Sequence, residues 1–189
     1  PGVIISFESE TFDLFINKLV EEIEQISPSC MLHPNIYSAY NSGIQKINKN
    51  KNVTKLTNDT IKPEMNLPTH VVSSVSAKKF IEDKSLQNEI FGPCSLIVKC
   101  KNTDELHEVI ESFEGQLTGT ILAESNDTHL TQKVIDALEL KVGRIIFNGV
   151  PTGVEVCPSM THGGPYPAST DSRFTAVGTN SIKRWIRPV

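Results

Sequence analysis

What the sequence lacks narrows its reading first. Its four cysteines, Cys30, Cys94, Cys100 and Cys157, form no CxxC pair. That spacing suggests neither a zinc site nor a disulfide framework, so no metal is expected. Scattered, unpaired thiols suit a reducing compartment, and a cytoplasmic location is the expectation. The sequons at Asn52, Asn58 and Asn126 are then expected to stay idle. No apolar run approaches the ~20 residues that a membrane span needs. The start, Pro1-Gly2-Val3-Ile4-Ile5-Ser6, has no basic n-region, so it is not expected to be a signal peptide. With no initiator methionine either, it reads as a chain cut from something longer. Positive charge is not in excess: 18 Lys and Arg against 22 Asp and Glu leave a net charge of -4. That balance argues against nucleic acid or an anionic membrane as the main partner. The Asn/Lys-rich residues 46–55 have no interleaved aromatics, so they read as a solvated loop rather than a nucleic-acid patch. No internal repeat is visible. Gly163-Gly164 is followed by no Lys-Ser/Thr and is not a phosphate loop.

What remains is an ordinary globular composition, long enough at 189 residues for one domain with a substantial core. Residues 3–7 read as a strand. A helix over 10–26 follows, because Phe12, Phe15, Ile16, Leu19, Ile23 and Ile26 recur at three- and four-residue steps. Ser9 is its expected N-cap, and Pro28 ends it. A second helix, about 34–47, is weakened by Gly43. Residues 70–75 read as a strand and 77–83 as a short helix. After a strand at 94–100, Leu106, Val109, Ile110 and Phe113 mark a helix capped by Asn102 or Thr103 and stopped by Gly115. A strand at 118–123, a helix marked by Leu130, Val134 and Leu138 with Asp127 as cap, and a strand at 142–147 complete the regular part. Strands alternating with helices predict an α/β fold: a doubly wound, mostly parallel sheet with helices on both faces. From 148 to 172 periodicity vanishes amid glycines and prolines, and a long irregular segment after a strand end marks a candidate site.

The sharpest local signal is Glu89-Ile90-Phe91-Gly92-Pro93, ahead of the apolar run 94–100. Pro93 lacks an N–H and pushes Gly92 out of the helical region, so a break is forced just before a buried strand. A carboxylate and a ring in that break suit a ligand site, where the acid bonds sugar hydroxyls and the ring flanks a flat group. The plain alternative is a surface glutamate and a core phenylalanine.

Three stretches then fall into a known order: residues 86–93 (LQNEIFGP), 143–157 (GRIIFNGVPTGVEVC) and 162–169 (HGGPYPAS). Together they resemble the C-terminal catalytic region of aldehyde dehydrogenases. The last two resemble the branch of α-ketoglutaric semialdehyde dehydrogenases and NADP-preferring fatty aldehyde dehydrogenases. The resemblance covers essentially the whole chain and implies one catalytic domain over 1–189, with 181–189 starting an oligomerisation strand. The family's nucleophile sits in a Cys-Thr-Asn-Pro-Gly turn, and Pro1-Gly2 resembles the end of it. The nucleophilic cysteine, the general-base glutamate, the oxyanion asparagine and the dinucleotide-binding domain are therefore expected upstream of Pro1, and no catalytic residue is expected within the chain.

The resemblance implies an NAD- or NADP-dependent oxidation of an aldehyde to the acid. A thiolate attacks, amide donors hold the oxyanion, hydride leaves to the nicotinamide, and a glutamate activates water against the thioester. This chain's share is positioning, and alone it is expected to be inactive. Glu89 matches the residue that bonds the nicotinamide ribose hydroxyls, and Phe91 the ring beside it. Val156, Cys157, His162, Gly163 and Arg173 are the expected substrate-pocket residues. A small-molecule aldehyde is the expected partner, α-ketoglutaric semialdehyde before a longer apolar one, and the full-length protein is expected to be a homo-oligomer. For Cys157 the alternative is a structural thiol, for His162 a loop-holding bond, and for Arg173 a local pair with Asp171. The competing classes are a non-catalytic folding or oligomerisation module, and a thiol redox protein using Cys94 or Cys157.

Overall fold

Ser9 decides where the first helix begins. Its hydroxyl accepts a hydrogen bond from Phe12 N at 3.1 Å, and Glu10 and Asp13 place negative charge in the first turn. The computed structural model describes residues 2–58, 66–150, 158–187 and 189. It divides into two compact units, Pro1–Leu106 and His107–Val189, where the sequence reading expects one domain.

The first unit is built on a four-stranded sheet of β1 (Val3–Phe7), β2 (Thr54–Lys55), β3 (Val71–Ser76) and β4 (Cys94–Cys100). Its spatial order is β1-β4-β3-β2. The ladders β1–β4 and β3–β4 are parallel, and β2 adds antiparallel to β3. Two helices cover this sheet: α1 (Glu10–Glu24) and α2 (Pro34–Lys49). Successive strand residues face opposite ways, and the core divides accordingly. Phe12 and Ile16 of α1 pack with Val72 and Ile97. Tyr40 and Ile44 of α2 pack with Val71, joined by Met31, Ile90 and Cys94. Both faces are thus covered, as the nearly continuous burial of β4 requires. A fully buried side chain of this kind contributes about 1.5–3 kcal/mol. The short α3 (Ala77–Glu82) buries Phe80 completely.

Helix α2 runs through Gly43 to Lys49, two residues further than its sequence suggests. It starts at Pro34, with His33 Nδ1 accepting from Asn35 N at 3.1 Å. Gly43 costs about 1 kcal/mol of helix propensity against alanine. Its place in the packing accounts for it: a Cβ there would lie 3.0 Å from two carbons of Ile90. Part of the supposed loop at 46–55 is helix, and part is β2.

Helix α4 (Thr103–Ser112) is capped by Asn102, whose Oδ1 accepts from Glu105 N at 2.9 Å. The second unit holds β5 (Gln116–Ile121) and β6 (Val142–Phe147), paired in parallel and joined by α5 (Thr128–Leu138). Asp127 sits at the cap position of α5, but its carboxylate accepts from Glu124 N at 3.1 Å and makes no cap bond. Asn148, with φ 46°, clips the two carboxyl ends together. Its backbone N donates to Ile121 O, its Oδ1 accepts from Ala123 N, and its Nδ2 donates to Ala123 O. Near the end of the chain, Thr179–Arg184 folds as a 3-10 turn. A strand from 181 is not formed there, since an extended segment needs a ladder partner to persist.

Candidate functional site

The turn before β4 has almost no regular structure to hold it. Its hydrogen bonds are few: Cys94 N donates to Gly92 O at 2.8 Å, Val71 N donates to Pro93 O at 3.0 Å, and the Cys94 thiol reaches Ile90 O at 3.6 Å. Side chains do the rest. Ile90 points inward against α2, so its neighbours Glu89 and Phe91 point outward. Gly92 has φ 155°, a conformation that favours glycine. A Cβ there would run into the Tyr40 ring and come within 2.8 Å of Met31 Cε. Tyr40 itself is 1% exposed. Its hydroxyl donates to Thr69 O at 2.6 Å and also lies 3.2 Å from Pro93 O, so it ties the approach to β3 to the start of β4. Burial pushes its phenol well above the ordinary value.

Outside this turn lies a cleft of about 550 Å³, whose lining includes Gly2, His70, Glu89, Phe91, Cys94 and Ser95. That volume is in the range of small-molecule sites. The cleft sits where β1, β3 and β4 begin. Open α/β sheets commonly bind ligands at the carboxyl ends of their strands, and this cleft occupies the amino ends instead. Phe91 is 69% exposed, so the reading of it as a core ring does not hold. The cleft-lining Cys94 is held as a thiol, its pKa raised by burial. Burial pushes Cys100 up to about 12. Neither resembles an activated nucleophile, which needs a depressed pKa.

The other expected pocket residues lie in the second unit. His162 holds its loop through the backbone: its N donates to Thr175 Oγ1 at 2.8 Å, and its O accepts from Ala176 N at 3.0 Å. The buried Thr175 passes the bond on to Val177 O at 2.8 Å. Gly163 is buried, and its carbonyl occupies the space that a Cβ on Gly143 would need. Gly164 lies against Gln116 O, and Gly115 against Pro165 O. The segment from His162 to Tyr166 thus returns to the amino ends of β5 and β6, though it follows a carboxyl end in sequence. Glycine at 115, 143 and 164 permits that backbone-to-backbone approach. Arg173 is 80% exposed and makes a two-point pair with Asp171, Nε at 2.9 Å and Nη2 at 2.7 Å. This local pair holds the Asp171 carboxyl at about 2. Val156 and Cys157 fall outside the described residues.

Sequence reasoning missed Tyr40, Gly43, Asn148 and Thr175. Gly43 carried a signal as a glycine inside a helical pattern, whereas the partners of the other three lie far away in the chain.

A mostly parallel α/β architecture is shared with aldehyde dehydrogenases of known structure. One is Δ-pyrroline-5-carboxylate dehydrogenase from Mycobacterium tuberculosis bound with NAD, at TM-score 0.76 over 97% of this chain and 34% of that one. At 15% identity that likeness shows the fold alone. Sequence carries the relationship further. The chain is 36% identical over 191 residues to alpha-ketoglutaric semialdehyde dehydrogenase of Acinetobacter baylyi, covering 100% of this chain and 36% of the relative. It is 34% identical over 189 residues to alpha-ketoglutaric semialdehyde dehydrogenase 2 of Azospirillum brasilense, again 100% of this chain and 36% of the relative. Over its whole length the chain is thus similar in sequence to part of these aldehyde dehydrogenases, and it shares the fold of aldehyde dehydrogenases of known structure. It spans about a third of the length of these curated relatives. A comparison with protein-family models finds none that matches.

Proposed function

We propose that this chain works within a longer polypeptide as the positioning part of an NAD(P)-dependent aldehyde dehydrogenase. The observation that carries this reading is the projection of Glu89 and Phe91 from one side-chain-anchored turn onto a cleft of ligand size. The fit to a nicotinamide riboside is chemical. An exposed carboxylate accepts from two neighbouring ribose hydroxyls, and an exposed ring offers an apolar wall to a flat heterocycle. When bound, the dinucleotide supplies a hydride acceptor. Glu89 fixes the ribose, Phe91 screens one side of the cleft from water, and Gly92 keeps both in register. The aldehyde is oxidised to the acid through a cysteine thiohemiacetal and thioester, with the nucleophile, the base and most of the dinucleotide site outside this chain. The whole protein is read as a cytoplasmic homo-oligomer with a small-molecule substrate and no nucleic-acid partner. No helix among the described residues is long and apolar enough to cross a membrane.

The direct test is NAD(P)H formation from an aldehyde. The complete polypeptide is expected to produce it, and the purified chain alone to produce none. An inactive complete polypeptide overturns the reading. Turnover by the chain alone overturns the division of labour.

For the substrate we propose α-ketoglutaric semialdehyde, with a longer apolar aldehyde as the alternative. The names of the two curated relatives support the first. So does an exposed guanidinium held in place by Asp171. Arg173→Met in the complete polypeptide is expected to lower kcat/KM for the semialdehyde by about tenfold or more, because a lost charged partner costs at least ~1.4 kcal/mol. Hexanal turnover is expected to stay nearly constant. Equal losses on both substrates return Arg173 to the role of holding its loop.

A further inference from the structure

We propose that Gly43 and Tyr40, both on α2, are positioning residues for cofactor binding: they set the direction in which Glu89 and Phe91 leave the β4 turn. The inference rests on the reading of Glu89 as a ribose ligand.

Two contacts on one helix hold this turn. At the first, the missing side chain of Gly43 leaves a notch for Ile90. A Cβ at residue 43 would stand 3.0 Å from Ile90 Cγ1 and Cγ2 and 3.1 Å from Cδ1. At the second, the Tyr40 ring lies against Gly92, and its hydroxyl reaches Thr69 O at 2.6 Å and Pro93 O at 3.2 Å. Residues 40 and 43 are three apart, so they occupy neighbouring places on one helix face. Residue 90 is seated by the notch, and residues 92 and 93 are seated by the ring and hydroxyl. Glu89 flanks the first seat, and Phe91 lies between the two. If Ile90 lifts, the alternation that sends Glu89 and Phe91 outward is disturbed at its pivot. The same packing explains why a glycine sits inside a helix that alanine would favour.

Gly43→Ala separates this role from a merely structural one. Helix propensity alone makes alanine neutral or stabilising at residue 43. Positioning makes it harmful to cofactor handling. In the complete polypeptide, Gly43→Ala is expected to change the thermal midpoint little, the gain in helix propensity offsetting the crowding of Ile90. It is expected to raise the cofactor KM, or slow single-turnover hydride transfer, by about tenfold, as a misplacement near an ångström does. In a Glu89→Gln background the same change is expected to cost less than about twofold, since residues acting through one contact are not additive. Tyr40→Phe, which keeps the ring and removes the hydroxyl, is expected to lower the midpoint by losing the bonds to Thr69 O and Pro93 O, yet to show the same loss of cofactor handling and the same dependence on Glu89, and it serves if the alanine variant does not fold. Equal losses in both backgrounds would mean that α2 acts independently of Glu89. An unimpaired Gly43→Ala beside an impaired Glu89→Gln would overturn the positioning role and leave the site standing. A harmless Glu89→Gln would overturn the site reading and this inference together.

Discussion

Glu89→Gln in the complete polypeptide is expected to slow hydride transfer by roughly ten- to a hundredfold and to leave the fold intact. A carboxylate that accepts from ribose hydroxyls makes charge-assisted bonds. Losing the charge while keeping the shape costs on the order of 1.5–3 kcal/mol. Each ~1.4 kcal/mol is tenfold in rate, which sets the range. Stability is expected to change little, because Glu89 is exposed and its neighbour Ile90 provides the packing. An exposed substitution of this kind usually falls within about 0.5 kcal/mol. Pre-steady-state reduction of the cofactor, compared with the thermal midpoint of the same preparations, separates the two effects. A wild-type rate beside a collapsed midpoint would make Glu89 a structural residue.

What could be read from the sequence was whatever depends on neighbours in the chain. Ser9 and the three- and four-residue spacing from Phe12 onward placed α1, and the unbroken apolar run 94–100 placed β4. Gly92-Pro93 announced a break, and so Glu89 and Phe91 stood out. The features that escaped depend on distant partners. Strand β2 is two residues long and exists only because Ser73 and Ser74 offer it a ladder. Gly43 looks like a flaw in α2 until Ile90 is seated against it. The return of residues 162–166 to the amino ends of β5 and β6 depends on glycines 115 and 143, which sequence assigns to a helix stop and a strand. For Phe91 the sequence left a buried ring as the alternative. Phenylalanine is usually buried, and only the inward turn of Ile90 shows that this ring must face out. The candidate site was therefore legible in its chemistry and not in its support. Glu89 and Phe91 announce themselves by type, whereas Tyr40 looks like one more apolar residue on a helix.

Gly92→Ala is expected to be the most destabilising single-methyl change in the first unit. Two independent costs fall on one carbon. At φ 155° a side chain is rarely accommodated, and holding a non-glycine residue in such a region costs on the order of 1–3 kcal/mol. The new methyl would also overlap the Tyr40 ring and crowd Met31 Cε at 2.8 Å, and overpacking of this kind costs about 1–3 kcal/mol. Tyr40 has little freedom to give way. It is buried, and its hydroxyl is committed to Thr69 O, so moving the ring would leave a partly buried carbonyl without its partner. Relaxation relieves part of the sum, which leaves roughly 2–4 kcal/mol, or about 4–16 °C in thermal midpoint at this chain length. Gly2→Ala is the control, since a Cβ at residue 2 meets nothing within 4 Å. It is expected to leave the midpoint unchanged. The comparison needs only the purified chain and far-UV circular dichroism on heating. If Gly92→Ala melts with the wild type, the turn is not seated on Tyr40 as described. If both glycine variants fall together, the effect comes from glycine replacement in general and not from the contact with α2.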